Sequence, residues 1–585
     1  MASFRFENRS GAELLAPDRT RFSFWAPACE TVLLEVEGLP PVTMEQQDDG
    51  FFTAEATCGA GTRYRYRIRE GFSVPDPASR YQPEGVHGPS EIIDPEFYQW
   101  KQPDWKGRPW EDTVVYEVHL GLEGGFEGMV ERLGELVDLG ITAIEIMPVN
   151  TFGGNWNWGY DGVLIYAPTT PYGRPSLLKA FIDHAHSLGL MVFLDVVYNH
   201  FGPDGNYLPE YAEAMFDPDS RTVWGEGIDF KNPIVADFFL DNALYWLMEY
   251  RFDGLRIDAA WAITDRNWFA KLLQRIDHHK EPGRHIHLIL ENENNDSGLL
   301  ADGYDGQWDE DWHHAVTVLL SGETNGYFAA FQHNTIGLLR RVLAEGFAWQ
   351  GEYFAPAEKM RGSPSGALPP TKFVTFLQNH DQIGNRPDGA RMITFTDPDC
   401  FHAAFALLLL SPMTPMLFMG EEWGSTTPFY FFCNFHGELA QTVREGREEQ
   451  FRKYSNITDP AALAALPDPN DPKTYAASRP DRAERDTPRG RKWLGRTKEL
   501  LSIRHDRITP HLKGAKSAGA EVLSERAVLA QWTLANGTLL SVAINFGDET
   551  LPIAEPTSIL YETVPDRVTG TLPPRSFMAG LDRPI

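Results

Sequence analysis

Residues 251–261 read RFDGLRIDAAW, and the organisation of the whole chain follows from this stretch. It is apolar at Phe252, Leu255 and Ile257, yet it carries Arg256 and Asp258 where a buried strand ordinarily has no charge. Residues 252–258 have the length of a strand, and a turn or helix start follows. Asp258 therefore falls where a parallel strand delivers a side chain into a pocket. Burying a carboxylate beside Arg256 is unfavourable unless the two groups meet or serve a ligand. Two readings stand: a structural ion pair at a strand end, or a nucleophile that Arg256 keeps ionised.

Outward from this stretch, the chain alternates strand and helix. Residues 113–120 form a strand ending near His119, and Met129, Leu133, Leu136 and Val137 form a helical stripe closed by Gly140. Strands follow at 141–148 and 190–200, separated by a loop at 150–162 and a helix at 178–188. About 198–232 carries few regular signals and reads as a lobe inserted after the third strand. A helix at 235–250 leads into the opening stretch. Residues 285–292 form a fifth strand ending at Glu291, and later strands run to Asp381 and to Glu421. This rhythm predicts a (β/α)8 barrel rather than an open sheet, and no glycine-rich phosphate fingerprint follows the first strand. Barrels place their chemistry at the carboxyl ends of strands. Four strand ends here carry polar residues: Asn199 with His200, Arg256 with Asp258, Glu291, and His380 with Asp381.

The flanks read as all-β. At 63–69, Tyr64, Tyr66 and Ile68 alternate with arginines, as on a half-buried strand. We expect three domains: an N-terminal β-sandwich (1–105), a catalytic barrel (106–500) and a C-terminal β-domain (501–585). Residues 74–80 read as a Pro-braced linker, 467–492 as an exposed charged loop, and 493–505 as a helix. Asn536-Gly537 marks a hairpin turn in the last domain.

A formal net charge of -30 argues against nucleic acid or an anionic membrane as partner and suits a neutral ligand. The four cysteines lie far apart with no CxxC pair, as in a reduced, cytoplasmic protein. The N-terminus lacks the pattern of a secretory leader, and no apolar run reaches membrane-spanning length. A cytoplasmic location is therefore expected.

Asp258, Glu291 and Asp381 come from three strands that share one pocket in a barrel. Glycoside hydrolysis needs a carboxylate and a carboxylic acid flanking the scissile bond. Glu291 follows Leu288-Ile289-Leu290, and such burial raises a carboxyl pKa enough for it to donate a proton near neutrality. Asp258 then attacks, and Asp381 holds sugar hydroxyls. His200 and His380 are candidate donors to the same sugar, and Tyr160 a candidate stacking ring. Asp195, Asn199 and His200 also invite comparison with a cation site, but no loop has calcium-ligand spacing, so neither metal nor cofactor is expected.

DVVYNH (195–200), GLRIDAA (254–260), ILEN (289–292) and FLQNHD (376–381) resemble, in order and spacing, the four motif regions of the α-amylase family of glycoside hydrolases. That resemblance implies Asp258 as nucleophile, Glu291 as proton donor rather than nearby Glu293, and Asp381 as transition-state stabiliser. Within the family, residues 74–94, 167–178, 308–328, 379–387 and 427–451 are similar to the maltooligosyltrehalose trehalohydrolases. These release trehalose from a maltooligosyl chain by cleaving an α-1,4 bond. The likeness implies substrate-binding roles for Arg256, Asp311, His313, His314, Asn379 and Gln382. It also implies an α-glucan such as maltooligosyltrehalose as partner, and functional pairing with a maltooligosyltrehalose synthase. The alternatives are a branching or debranching enzyme of the same superfamily, against which residues 427–451 argue, and a non-catalytic glucan-binding protein.

Overall fold

The computed structural model describes residues 2–222, 225–455 and 457–582. Val115 pairs with Ala143 on one side and with Met416 on the other. The first and last parallel strands therefore meet, and the central sheet closes without a free edge. Its eight strands are β1 (Val115–Val118), β2 (Ala143–Ile146), β3 (Met191–Val196), β4 (Gly254–Ile257), β5 (His287–Leu290), β6 (Gly306–Trp308), β7 (Phe373–Thr375) and β8 (Thr414–Phe418). β6 has no counterpart in the sequence reading. Three residues, GQW, carry no measurable periodicity, and only pairing of Ile289 with Gly306 and of Trp308 with Val374 makes them a strand. Two strand ends also differ from expectation. β7 stops at Thr375, and Asp381 lies beyond it in the short helix His380–Gly384. β8 stops at Phe418, and Glu421 opens a 3-10 turn.

Side chains alternate in and out along each strand. One interior layer of the barrel is apolar: Val115, Ala143, Phe193, Ile289, Val374 and Met416 pack with Trp110. Two residues further along β1 to β4, the same alternation brings Glu117, Glu145, Asp195 and Arg256 inward. Register places Glu117 beside Glu145 and Asp195 beside Arg256. Glu145 is driven far above the usual carboxyl range by burial and by Asp195 and Glu117, and so sits in this layer as a neutral acid. The polar layer lies directly under the carboxyl ends of the strands.

The N-terminal strands form two sheets that face each other through Phe22 against Tyr64 (4.9 Å) and Phe24 against Tyr66 (4.2 Å). Tyr64, Tyr66 and Ile68 are buried in alternation, as expected. Residues 74–80 link in sequence but are core in space: fully buried Asp76 accepts from the Tyr64 hydroxyl (2.6 Å) and from Ala78 N (2.8 Å). The lobe after β3 holds the hairpin of Phe216–Thr222 and Gly225–Ile228, and its Tyr211 packs on Phe24 (4.7 Å), joining lobe to sandwich. Residues 150–162 are not wholly a loop, since Asn150–Phe152 pairs with Gly162–Pro168.

The charged segment 467–492 is largely helical rather than an exposed loop. Asp471 caps Pro472–Ala477, Asp481 caps a 3-10 turn at Arg482–Asp486, and Thr487 caps Pro488–Ile503. Capping residues followed by proline at the first helical position are helix starts, and they outweigh the charge of the segment. The C-terminal sheet has five strands in the order Lys516–Ser524, Ala527–Thr533, Leu539–Asn545, Ser576–Asp582, Ser558–Glu562, with Gly537 at positive φ in the expected hairpin turn. Helix Pro398–Leu410, buried almost all round, lies between this sheet and the barrel. All four cysteines are free thiols. Among the described residues, no helix is long and apolar enough to cross a membrane.

Arg504 ties the end of that buried helix to the approach to β8. Its guanidinium donates to the carbonyls of Leu409 (3.0 Å), Ser411 (2.5 Å) and Met413 (2.7 Å) at almost no exposure. Arg504→Met strands three buried acceptors, each worth about 1–3 kcal/mol. A denaturant titration is expected to show a loss of at least about 3 kcal/mol, with the unfolding slope unchanged.

Candidate active site

The site is built around Arg256. Its Nη1 donates to Asp195 Oδ2 (2.7 Å) and Asp258 Oδ1 (2.9 Å), and its Nη2 to Glu291 Oε2 (2.8 Å). The side chain has no exposure and lies 4.0 Å from the Trp308 ring centre, so β6 supplies its floor. One cation serves three carboxyls, and they cannot all ionise cheaply. Burial raises Asp258, against the pull of Arg256 and of Asn199, whose Nδ2 donates to Asp258 Oδ2 (2.7 Å). Burial raises Glu291 further, to about 7; Arg256 opposes this, and Asp258 and Asp381 add to it. Arg256 and Asn199 therefore oppose the upward shift of Asp258 without reversing it, and Glu291 is raised to about 7.

Glu291 is also fixed from the side of Asp258. Ala259 N donates to Glu291 Oε2 (2.9 Å), and Ala260 N to the Glu291 carbonyl (2.8 Å). Ala259 adopts φ 41°, a left-handed conformation unfavourable for a residue with a Cβ. That turn aims its N–H at the carboxyl while Asp258 N stays bonded to the Val196 carbonyl at the end of β3 (3.0 Å).

Asp381 approaches from the other wall. Its Oδ2 lies 3.3 Å from His380 Nε2, and its Oδ1 accepts from Asn385 Nδ2 (3.1 Å). His380 Nδ1 bonds Glu117 Oε1, and Glu117 Oε2 accepts from His380 N (3.1 Å). Burial opposes charge on this imidazole, but Asp381 and Glu117 outweigh it and hold His380 well above the usual histidine range, as an imidazolium. Burial likewise opposes ionisation of Asp381, and His380, Arg256 and Asn385 overcome it, leaving a carboxylate. The Tyr160 ring stacks on His380 (5.0 Å), and its hydroxyl donates to Asp195 Oδ2 (2.7 Å), so one face of Tyr160 is already covered.

The remaining expected residues divide by depth. Asn379 caps the helix of His380 by accepting from Gln382 N (3.0 Å). His200 is buried, with Nε2 on the Tyr160 carbonyl (3.0 Å) and Nδ1 on Asn199 Oδ1, and so orders those two residues. Asp311 is 1% exposed; its Oδ2 accepts from Asn295 Nδ2 and Ala348 N (both 2.8 Å), and its Oδ1 lies 3.2 Å from Arg361 Nη2. His313 Nδ1 donates to the Leu377 carbonyl (2.7 Å) and its ring stacks on Phe376, while His314 packs between Phe328 and Phe331. His200, Asp311, His313 and His314, all expected to bind substrate, are thus buried side chains with partners in the protein. The sequence reading passed over Glu117, Asn385 and the structural part of Asp195. Glu117 had a signal, since it is a charge inside the apolar run VVYEV, as Arg256 is inside GLRI. Among the described residues, no group of His, Cys, Asp and Glu is arranged to hold a metal ion.

Residues 89–223 match the model of the α-amylase catalytic domain, and residues 515–578 match a domain of unknown function, DUF3459. The malto-oligosyltrehalose trehalohydrolase of Deinococcus radiodurans is 38% identical over 557 residues, covering 94% of this chain and 91% of that protein. The chain belongs to the malto-oligosyltrehalose trehalohydrolase family. A crystal structure from Salmonella typhimurium, provisionally assigned as an alpha amylase, superposes with a TM-score of 0.94 at 40% identity, covering 99% of this chain and all of that one. A 1,4-alpha-glucan branching enzyme from Pseudoalteromonas atlantica is 31% identical but covers only 41% of this chain and 35% of its own length. Membership of the trehalohydrolase family therefore rests on the whole chain, flanking domains included, whereas the likeness to branching enzymes is partial.

In this trehalohydrolase-family site, a proton on Glu291 is retained up to about pH 7 because burial raises its pKa. A reaction that needs this proton is fast below that value and fades as pH rises through it. The alkaline limb of kcat/KM is expected near pH 7 in the native chain and absent from the residual activity of Glu291→Gln. An unchanged limb in that variant places the acid elsewhere, with Glu293 the first residue to examine.

Proposed function

We propose that this chain hydrolyses the α-1,4-glucosidic bond next to the terminal trehalose of maltooligosyltrehalose, releasing trehalose and a maltooligosaccharide with retention of configuration. The observation that carries the reading is the Arg256 fork, which holds Asp258 and Glu291 by adjacent nitrogens. Two carboxyls so held suit the roughly 5–5.5 Å spacing of retaining enzymes rather than the roughly 6.5–9.5 Å of inverting ones.

Glu291 gives its proton to the glucosidic oxygen while an Asp258 carboxylate oxygen attacks the anomeric carbon. The C–O bond breaks, trehalose leaves as the neutral alcohol, and the maltooligosyl chain becomes an ester of Asp258. Glu291, now ionised, takes a proton from water, which attacks the same carbon and frees Asp258. Asp381, kept ionised by His380 and Asn385, accepts from hydroxyls of the distorted sugar, and the His380 imidazolium supports the same ring. Every step is assigned to side chains of this chain. The substrate's unusual end implies a maltooligosyltrehalose synthase upstream, acting in the same compartment, which we take to be the cytoplasm.

Incubation with maltooligosyltrehalose and, separately, with the plain maltooligosaccharide of equal length tests the reading by chromatography of the products. Free trehalose from the first, at a far higher rate than any cleavage of the second, is the expected result. Equal cleavage of both, or transfer of the chain to form branches, rejects it. Asp258→Ala and Glu291→Gln are each expected to lower kcat by several orders of magnitude while substrate still binds, because each removes a transition-state role.

A further inference from the structure

Asp381 has a second support that leads out of the barrel. Asn385, whose Nδ2 donates to Asp381 Oδ1, has its own Oδ1 occupied by Arg447 Nη1 at 2.7 Å. Arg447 belongs to helix Gly437–Tyr454, of which Phe451 is the one fully buried residue. A helix that buries so little apolar surface contributes little to the core. Arg444 and the Ala440 carbonyl bond Asp468 and Asn470, and Arg447 faces the barrel: its Nη1 also donates to Gln450 Oε1 (2.7 Å), its Nη2 donates to the Gly384 carbonyl (2.9 Å), and the guanidinium lies 4.8 Å from the Phe431 ring centre and 4.9 Å from that of Phe451.

We propose that Arg447 is a positioning residue for Asp381, acting through Asn385. An amide side chain has one accepting end and one donating end, and a guanidinium only donates. With Arg447 in place, Asn385 must point its oxygen outward, and its NH2 then faces Asp381. Reversing the amide sets oxygen against carboxylate and NH2 against guanidinium, two repulsive contacts in place of two charge-assisted bonds. Gln450 Nε2 reaches the same Asn385 oxygen at 3.4 Å and favours the same orientation. The bond to the Gly384 carbonyl fixes the end of the short helix that carries His380 and Asp381. Residues 427–451, the stretch that separates this chain from branching and debranching enzymes in sequence, thereby set the geometry of the carboxylate that meets the sugar. The inference rests on the reading of Asp381 as the residue that stabilises the transition state.

The test is a mutant cycle on maltooligosyltrehalose with Asn385→Ala, Arg447→Met, the double variant, and Arg447→Lys. Methionine keeps a long side chain between the two rings, and lysine keeps one donor. Asn385→Ala and Arg447→Met are each expected to lower kcat by about ten- to hundredfold, the worth of one charge-assisted bond, with KM changed less than about twofold. The double variant is expected to be no slower than Asn385→Ala, and Arg447→Lys to recover most of the rate. The inference is overturned if Arg447→Met turns over like the native chain, or if the two losses multiply in the double variant. It is equally overturned if Arg447→Lys is as slow as Arg447→Met with the same fall in Tm. A native chain that cleaves another α-glucan but frees no trehalose defeats the substrate reading alone, and the same cycle run on that glucan still decides the role of Arg447.

Discussion

The buried charge of Arg256 is the interaction on which the rest of the site depends. It sits with no exposure between Asp195, Asp258 and Glu291, contributed by β3, by the end of β4 and by the residue after β5. Its Coulombic gain at this depth offsets the desolvation of several groups, and loss of the arginine would leave uncompensated buried carboxylates, a change of about 3–5 kcal/mol for a single pair. The arrangement also distributes protons. Burial raises all three acids around this cation, and Glu291 reaches about 7. The same electrostatics that make the barrel interior tolerable therefore hold a carboxyl of raised pKa, Glu291, beside Asp258.

Barrel closure makes this possible. Alternation along the strands separates an apolar layer, centred on Val115, Phe193, Ile289 and Val374, from a polar layer of Glu117, Glu145, Asp195 and Arg256 two residues further on. The apolar layer supplies packing, and the polar layer orients what stands above it. Glu145 shows the consequence of overloading such a layer with acid: among the described residues neither of its oxygens has a hydrogen-bond partner, and burial, Asp195 and Glu117 push its carboxyl far above the usual range.

Asp381 is governed by the opposite balance. It is the most exposed of the three carboxyls, and it is ionised because His380 and Asn385 stand against it. Each of those supports is itself held, His380 by Glu117 and Asn385 by Arg447. Donors and the His380 charge outweigh burial at Asp381, whereas burial and like charge outweigh the donors at Glu291. Two carboxyls in one cleft acquire different chemistry from their surroundings alone.

The local pattern of the chain by itself determined a great deal. Charges inside apolar strand-length runs exposed Arg256 and Asp258, strand-helix alternation specified the barrel, and the order of four motifs singled out Asp258, Glu291 and Asp381. The first two are properties of neighbouring residues, which periodicity reports directly, and the third is what the resemblance to the α-amylase family implies. Tertiary structure alone decided which polar groups meet. Arg256 and Asp195 are 61 positions apart, Arg256 and Glu291 are 35 apart, and His380 and Glu117 are 263 apart. No local pattern encodes such pairings, because they exist only once the sheet closes and its register is set. For the same reason the sequence did not show that Asp311 meets Asn295, that His313 meets the Leu377 carbonyl, or that His314 packs on Phe331. Three residues of β6 became a strand only between their neighbours, and an arginine on an outlying helix came to bear on the carboxylate at the centre.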